Sequence, residues 1–173
     1  MDELKKYIRN IPDFPEKGIV FRDITTLLAN PEGMSLVISG LKESLTKYNF
    51  DVICGIDARG FIFGALLANE YKKPFVPIRK KGKLPFETIS QSYELEYGKA
   101  EVEIHKDAIS PGQKVLLVDD LIATGGTATA GAQLIKRLGG QVECCSFVIG
   151  LTELHGIVAL EKLTKNVEVL ISY

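Results

Sequence analysis

The chain has little cysteine, little histidine and almost no net charge. Three cysteines in 173 residues are an odd set that cannot close into a disulfide framework. Cys54 sits inside an apolar run, and the adjacent Cys144 and Cys145 point to opposite sides if their segment is a strand, so buried thiols in a reducing compartment are expected. The two histidines, His105 and His155, stand at no metal-ligand spacing. Lys and Arg number 21 against 22 Asp and Glu, a net of -1, which gives no global basic field for a nucleic-acid backbone or an anionic membrane. Any anion must therefore be held by local geometry. The longest apolar stretch, Phe61 to Ala68, falls far short of the ~20 residues that span a bilayer, and Met1-Asp2-Glu3 opens no basic-then-apolar leader. A soluble cytoplasmic protein is expected, with neither nucleic acid nor membrane as partner. Repeats, low-complexity tracts and composition breaks are also missing, so residues 1–173 are expected to form one domain.

What is present is 46% apolar residues and punctuation by Gly and Pro at intervals suited to alternating strands and helices. Leu4, Ile8 and Ile11 form a short helical stripe ending at Pro12. Val37, Leu41, Leu45 and Tyr48 form a longer one, entered through Asn30-Pro31-Glu32, a cap followed by proline at the first helical position. Two β-loop-α units occupy the centre. In one, Val52 to Ile56 reads as a buried strand, Asp57-Ala58-Arg59-Gly60 as the loop and Phe61 to Tyr71 as a buried helix. In the other, Lys114 to Val118 is the strand, Asp119 to Gly126 the loop and Thr127 to Leu138 a helix with Gly131, Leu134, Ile135 and Leu138 inward. Phe75 to Ile78 and Val142 to Ile149 supply further strands. Leu151 to Tyr173 reads as a covering helix (Ile157, Leu160, Leu163) and a last strand (Val167, Val169, Ile171). The pattern predicts an α/β fold, an open and mostly parallel sheet flanked by helices, with ligands bound beyond the carboxyl ends of its strands.

From Arg79 to Ile109 helical periodicity is lost. The stretch opens on Arg79-Lys80-Lys81-Gly82-Lys83 and ends in the alternation of Tyr93, Leu95, Tyr97, Val102 and Ile104, which predicts an antiparallel ribbon. Such an excursion is either a disordered insertion or a working lid, and Lys83 to Tyr93 is the candidate lid. Lys80-Lys81 reads as a solvated charge cluster.

Val115 to Thr127 carries the chemistry. Two consecutive carboxylates, Asp119 and Asp120, are costly to crowd at the end of an apolar strand unless something uses them, and a pentose offers two neighbouring hydroxyls that need acceptors. Four residues on, Thr124-Gly125-Gly126-Thr127 opens a helix and presents N–H groups, hydroxyls and a positive dipole end to a small anion. The lysine and spacing of a Walker loop and the dinucleotide glycine pattern are both absent. Either half alone reads as an ordinary turn or helix start. Joined at this spacing they read as a ribose 5-phosphate site.

Val115 to Thr127 resembles the phosphoribosyl pyrophosphate (PRPP) motif of type I phosphoribosyltransferases. Asp13-Phe14-Pro15, Gly18 to Ile24, Gly55 to Phe61, Arg79 through Pro85, Tyr93 to Gly98 and Glu101 to His105 are similar to the adenine-specific branch, in matching order. The resemblance implies that Ala123, Thr124, Gly125, Gly126 and Thr127 hold the 5-phosphate, and Asp119 and Asp120 the ribose hydroxyls. It assigns the pyrophosphate to Asp57, Ala58, Arg59 and Gly60 with Arg79 and Lys83, and adenine to Val20, Phe21 and Arg22 in a small hood within residues 1–35. Glu96 is implied near the attacking base nitrogen, with Arg59 and Lys83 on the leaving group. Mg²⁺ is implied as carried mainly by PRPP with no direct protein ligand, and the partners as adenine, PRPP and a second copy of the chain in a homodimer. Two other readings stay open: a PRPP-binding regulator, and a transferase for an oxopurine or orotate.

Overall fold

The computed structural model describes residues 2–94 and 98–173. A 3-10 turn (Asp2–Tyr7) leads into β1 (Arg9–Pro12), which pairs antiparallel with β2 (Val20–Asp23), Ile11 lying opposite Phe21. This corrects the helical stripe expected through Ile11. Leu4 and Ile8 are buried, but Ile11 is held in a strand pair, which the 3.6-residue period cannot accommodate.

A short helix α1 (Thr25–Leu28) precedes α2 (Pro31–Leu45), which starts where the cap and proline place it: the Asn30 side chain accepts the Gly33 N–H at 2.9 Å. Tyr48 lies past the helix end, its hydroxyl donating to Glu168 at 2.6 Å. Asn30→Ala leaves that N–H unpaired and is expected to cost about 1 kcal/mol, read as a melting temperature lower by about 2–4 °C.

Strand β3 (Val52–Ile56) is buried at every position, as a strand covered on both faces must be. It runs into α3 (Gly60–Tyr71) and then β4 (Phe75–Lys80). The expected antiparallel ribbon is β5 (Thr88–Glu94) with β6 (Lys99–His105). β7 (Lys114–Ile122), α4 (Gly126–Arg137), β8 (Gln141–Gly150), α5 (Gly156–Glu161) and β9 (Val167–Ser172) complete the chain. Among the described residues seven strands form one sheet, ordered β5-β6-β4-β3-β7-β8-β9, in which β4, β3, β7, β8 and β9 are mutually parallel and the ribbon joins antiparallel through β6.

Alternation along these strands divides the core. Ile53, Leu116, Val118 and Cys144 pack with Val37, Leu41, Leu45, Phe63 and Leu67 of α2 and α3. Cys54, Val115, Leu117 and Cys145 pack on the other face with Leu134 and Ile135 of α4 and Leu160 of α5. The adjacent cysteines thus face opposite ways, and burial pushes all three thiols up, away from reactive thiolate. No helix among the described residues is long and apolar enough to cross a membrane.

β7 extends four residues beyond its expected end. Leu121 and Ile122 stay paired with Ile149 and Gly150 of β8, so Asp119 and Asp120 sit within the strand and the loop shrinks to Ala123–Gly125. The apolar Leu121-Ile122 step after the acids is what continues the pairing.

Candidate active site

The parallel pair β3 and β7 ends at one edge of the sheet, so the loops that follow them face each other. Between them lies a cavity of about 280 Å³. Asp57, Ala58 and Arg59 line it from the first loop, Asp119 and Asp120 from β7, and Ala123 to Thr127 from the second loop and the start of α4. Lys80 from β4 and Tyr93 from β5 also reach it. The two β-loop-α units therefore converge on one site.

Gly125 caps α4 in the left-handed region, φ +81°, a conformation glycine adopts without steric cost. No side chain caps the helix, and its first-turn N–H groups, from Gly126, Thr127 and Ala128, have no intrahelical acceptor. Free donors at the positive end of a helix dipole are the arrangement that can hold a small anion. The loop leaves no room behind it: a Cβ on Gly125 would lie 2.6 Å from the Gly156 carbonyl oxygen, and one on Gly156 would lie 2.7 Å from the Gly125 nitrogen. Gly60 opens α3 against β7, where a Cβ would stand 2.7 Å from the Val118 carbonyl oxygen and 2.9 Å from Asp119 Oδ1.

The charges are arranged in opposed pairs. Arg59 Nε lies 2.8 Å from Asp120 Oδ2, an ion pair in which that oxygen receives no aligned hydrogen bond. Arg79 Nε donates to Asp57 Oδ2 at 3.1 Å. Asp119 Oδ1 accepts the Asp120 N–H at 2.8 Å. Burial, reinforced by repulsion from Asp120, pushes the Asp119 carboxyl well above its ordinary range; burial also raises Asp120, with Arg59 pulling it back. Two buried acids, one with an oxygen that receives no aligned hydrogen bond, can accept hydrogen bonds from external hydroxyls. Among the described residues, no group of three or more His, Cys, Asp or Glu side chains is arranged to hold a metal ion.

A second depression, an open groove of about 960 Å³, adjoins the first and shares Ala123 and Thr124 with it. One wall is Pro15, Ile19, Val20 and Arg22 of the N-terminal segment; Leu151, Leu154 and Tyr173 face it. Val20 and Arg22 point the same way along β2, and Phe21 between them does not line the groove: strand alternation turns its ring to Phe14, at 5.3 Å between centroids. The Arg22 guanidinium stacks over the Tyr173 ring at 3.9 Å, a cation–π contact.

Other expected residues lie near the cavity without lining it. Arg79 is held aside by Asp57, and its guanidinium faces Phe61, 6.0 Å away. Lys83 is exposed, its carbonyl accepting from Arg79 Nη1 at 3.3 Å. Lys80, read as part of a solvated cluster, does line the cavity; it shares a strand face with buried Ile78, and that alternation could have singled it out. Of the candidate lid, Thr88 to Tyr93 is paired with β6, and Glu96 lies outside the described residues. His105 accepts from the Phe86 N–H at 3.4 Å in the ribbon.

A sequence profile for the phosphoribosyl transferase domain matches residues 23–170. The chain is 54% identical to the adenine phosphoribosyltransferase of Dinoroseobacter shibae across 98% of this chain and 95% of that protein. Its fold superposes with a TM-score of 0.94 on the crystal structure of the adenine phosphoribosyltransferase from Thermoanaerobacter pseudethanolicus, 48% identical, covering 99% of both chains. The enzyme of Saccharomyces cerevisiae, solved with adenine and an imino-altritol bisphosphate, is 39% identical with a TM-score of 0.89, over 98% of this chain and 97% of that one. With similarity sustained over almost its whole length, the chain belongs to the phosphoribosyltransferase family, in the branch of the adenine phosphoribosyltransferases.

Proposed function

We propose that the protein transfers the 5-phosphoribosyl group of PRPP to N9 of adenine, giving AMP and pyrophosphate in purine salvage. The observation that carries this reading is the shared wall of Ala123 and Thr124: a loop opening a helix beside an acid pair adjoins a groove of about 960 Å³. The 5-phosphate rests on Ala123 to Thr127, and the ribose hydroxyls donate to Asp119 and Asp120. The pyrophosphate lies along Asp57 to Gly60, where Arg59 and Lys80 line the cavity; Arg79, paired with the lining Asp57, holds the carbonyl of Lys83, whose ammonium joins them. Adenine enters between Val20 and Arg22 on one side and Leu151 on the other.

As the bond from C1 to the pyrophosphate oxygen breaks, positive charge builds on the ribose ring and negative charge on the leaving group, and the C1–N9 bond forms from the opposite face. Asp119 and Asp120 stabilise the ring; Arg59 and the lysines stabilise the departing anion, the electrostatic term that dominates such reactions. The N9 proton passes to Glu96 or is relayed by it. Asp57 is engaged by Arg79 and Asp120 by Arg59, so the cavity fits an ion that would be held mainly by the phosphate oxygens of PRPP and by water. Mg²⁺ arriving on PRPP supplies charge neutralisation of the pyrophosphate. Within the candidate lid from Lys83 to Tyr93, the part before β5, Lys83 to Glu87, closes over the site and excludes water during transfer, and residues 1–35 form the hood over the base. The molecule works as a cytoplasmic homodimer folded as one domain.

The test is turnover of a panel of bases with PRPP and Mg²⁺. AMP formation from adenine, with hypoxanthine, guanine and orotate at least about 100-fold slower, is expected, since a site built on hydrogen bonds to one base rejects mismatched ones strongly. Preferential turnover of any of the other three overturns the assignment of adenine. PRPP binding without turnover of any base favours a regulator.

A further inference from the structure

Glu103 is a buried carboxylate outside the cavity. It sits in β6 opposite Arg79 of β4, with 5% of its surface exposed. Its Oε1 accepts two consecutive backbone N–H groups of the neighbouring loop, from Lys83 and Leu84, both at 2.9 Å, and its Oε2 lies 3.4 Å from the Thr88 hydroxyl where that loop re-enters the sheet. From the other side Arg79, itself paired with Asp57 in the cavity wall, donates to the Lys83 carbonyl at 3.3 Å. Lys83 is thus gripped at both its N–H and its C=O, while Pro85 to Glu87 beyond it are exposed. A buried carboxylate is costly unless its oxygens are used. Here its hydrogen-bond partners lie in, or at the end of, the loop that carries a pyrophosphate-binding lysine.

We propose that Glu103 is a positioning residue for transfer, the post about which the Lys83-bearing loop turns. It fixes the Lys83 backbone so that its ammonium reaches the leaving pyrophosphate by side-chain rotation alone, while the loop moves beyond Leu84. This rests on the proposed transferase activity and adds to it a residue that touches no substrate. Charge-assisted hydrogen bonds to buried groups are the strong ones, and Oε1 makes two of them.

Glu103→Ala removes the acceptor of both N–H groups; Glu103→Gln keeps an amide oxygen where Oε1 stood. Steady-state kinetics of the folded alanine variant should show KM for PRPP raised about tenfold or more and kcat lowered, from the loss of hydrogen bonds to a charged acceptor. KM for adenine should stay within about twofold, because the residues that line the base groove lie outside this loop, and the glutamine variant should recover most of the loss. Equal damage to both KM values, or wild-type KM for PRPP in the alanine variant, overturns the proposal. Should the alanine variant not fold, amide exchange on the wild-type protein decides: the Lys83 and Leu84 amides are expected to be protected, and exchange at the rate of an unstructured peptide overturns the post. A wild type that makes no AMP overturns the transferase reading instead, and amide exchange still reports on the anchor.

Discussion

Replacing both acids, Asp119→Asn with Asp120→Asn, lowers AMP formation by about 10²–10⁴-fold, while Asp119→Asn alone raises the melting temperature of the ligand-free protein. The loss of rate follows from removing two charged acceptors for the ribose hydroxyls, each such bond being worth about 1.5–3 kcal/mol. The gain in stability follows from the titration of the native site. Both carboxyls are raised above the ordinary aspartate value of 3.8, chiefly by burial. Between that value and the raised native one, the folded protein holds more protons than the unfolded chain, so stability falls as pH rises through the window. Above it the cost of keeping ionised carboxylates in the cavity is fully present. The amide that replaces the Asp119 carboxyl does not ionise, and its oxygen can still accept the Asp120 N–H. The melting temperature is therefore expected to rise by about 2–4 °C for each kcal/mol relieved, with the gain greatest at neutral and alkaline pH and absent below the ordinary aspartate range. Thermal scans from acid to neutral pH check this; a variant less stable than wild type at neutral pH would show that the acids support the empty fold.

Gly156→Ala disables the site from a helix that binds no substrate. Its added methyl group falls inside the van der Waals sphere of the Ala123 carbonyl oxygen and 2.7 Å from the Gly125 nitrogen. Both are backbone atoms of the loop proposed to hold the phosphate, so relief comes only by moving that loop or α5. Overpacking of this kind costs about 1–3 kcal/mol, and a displacement of about 1 Å in a positioning element lowers turnover about 10²-fold. Val158→Ala, on an exposed position of the same helix, is the control and should leave kcat and KM unchanged. Activity of Gly156→Ala within about threefold of wild type would show that the loop yields easily and that its close packing has no bearing on turnover.

How legible these features were in the sequence depended on whether the signal was local. β3 and β7 are read from continuous apolar runs, α2 from its cap and proline, and the phosphate loop from two glycines between threonines, because each is settled within a dozen residues. The acid pair is equally local, and the structure places it beside the loop it was paired with. Errors fell where pairing with a distant segment decides conformation. Ile11 matches a helical period but is claimed by Phe21, and Leu121-Ile122 extends β7 because β8 lies alongside. The far wall of the groove proposed for the base, Leu151, Leu154 and Tyr173, carries no motif, since an apolar residue lining a groove has the same signature as one lining the core. Glu103 was hidden for the same reason: an acid in a ribbon reads as solvated until the loop folded onto it is seen.

In the proposed transferase the cavity between the two β-loop-α units holds the sugar phosphate and the adjoining groove the base. A crystal structure of the protein with AMP tests it most directly. The 5-phosphate is expected on the N–H groups of Gly125 to Thr127, the ribose hydroxyls within hydrogen-bond distance of Asp119 and Asp120, and the purine between Val20 and Leu151. AMP bound with its ribose away from both aspartates, or its base outside the groove, would contradict it.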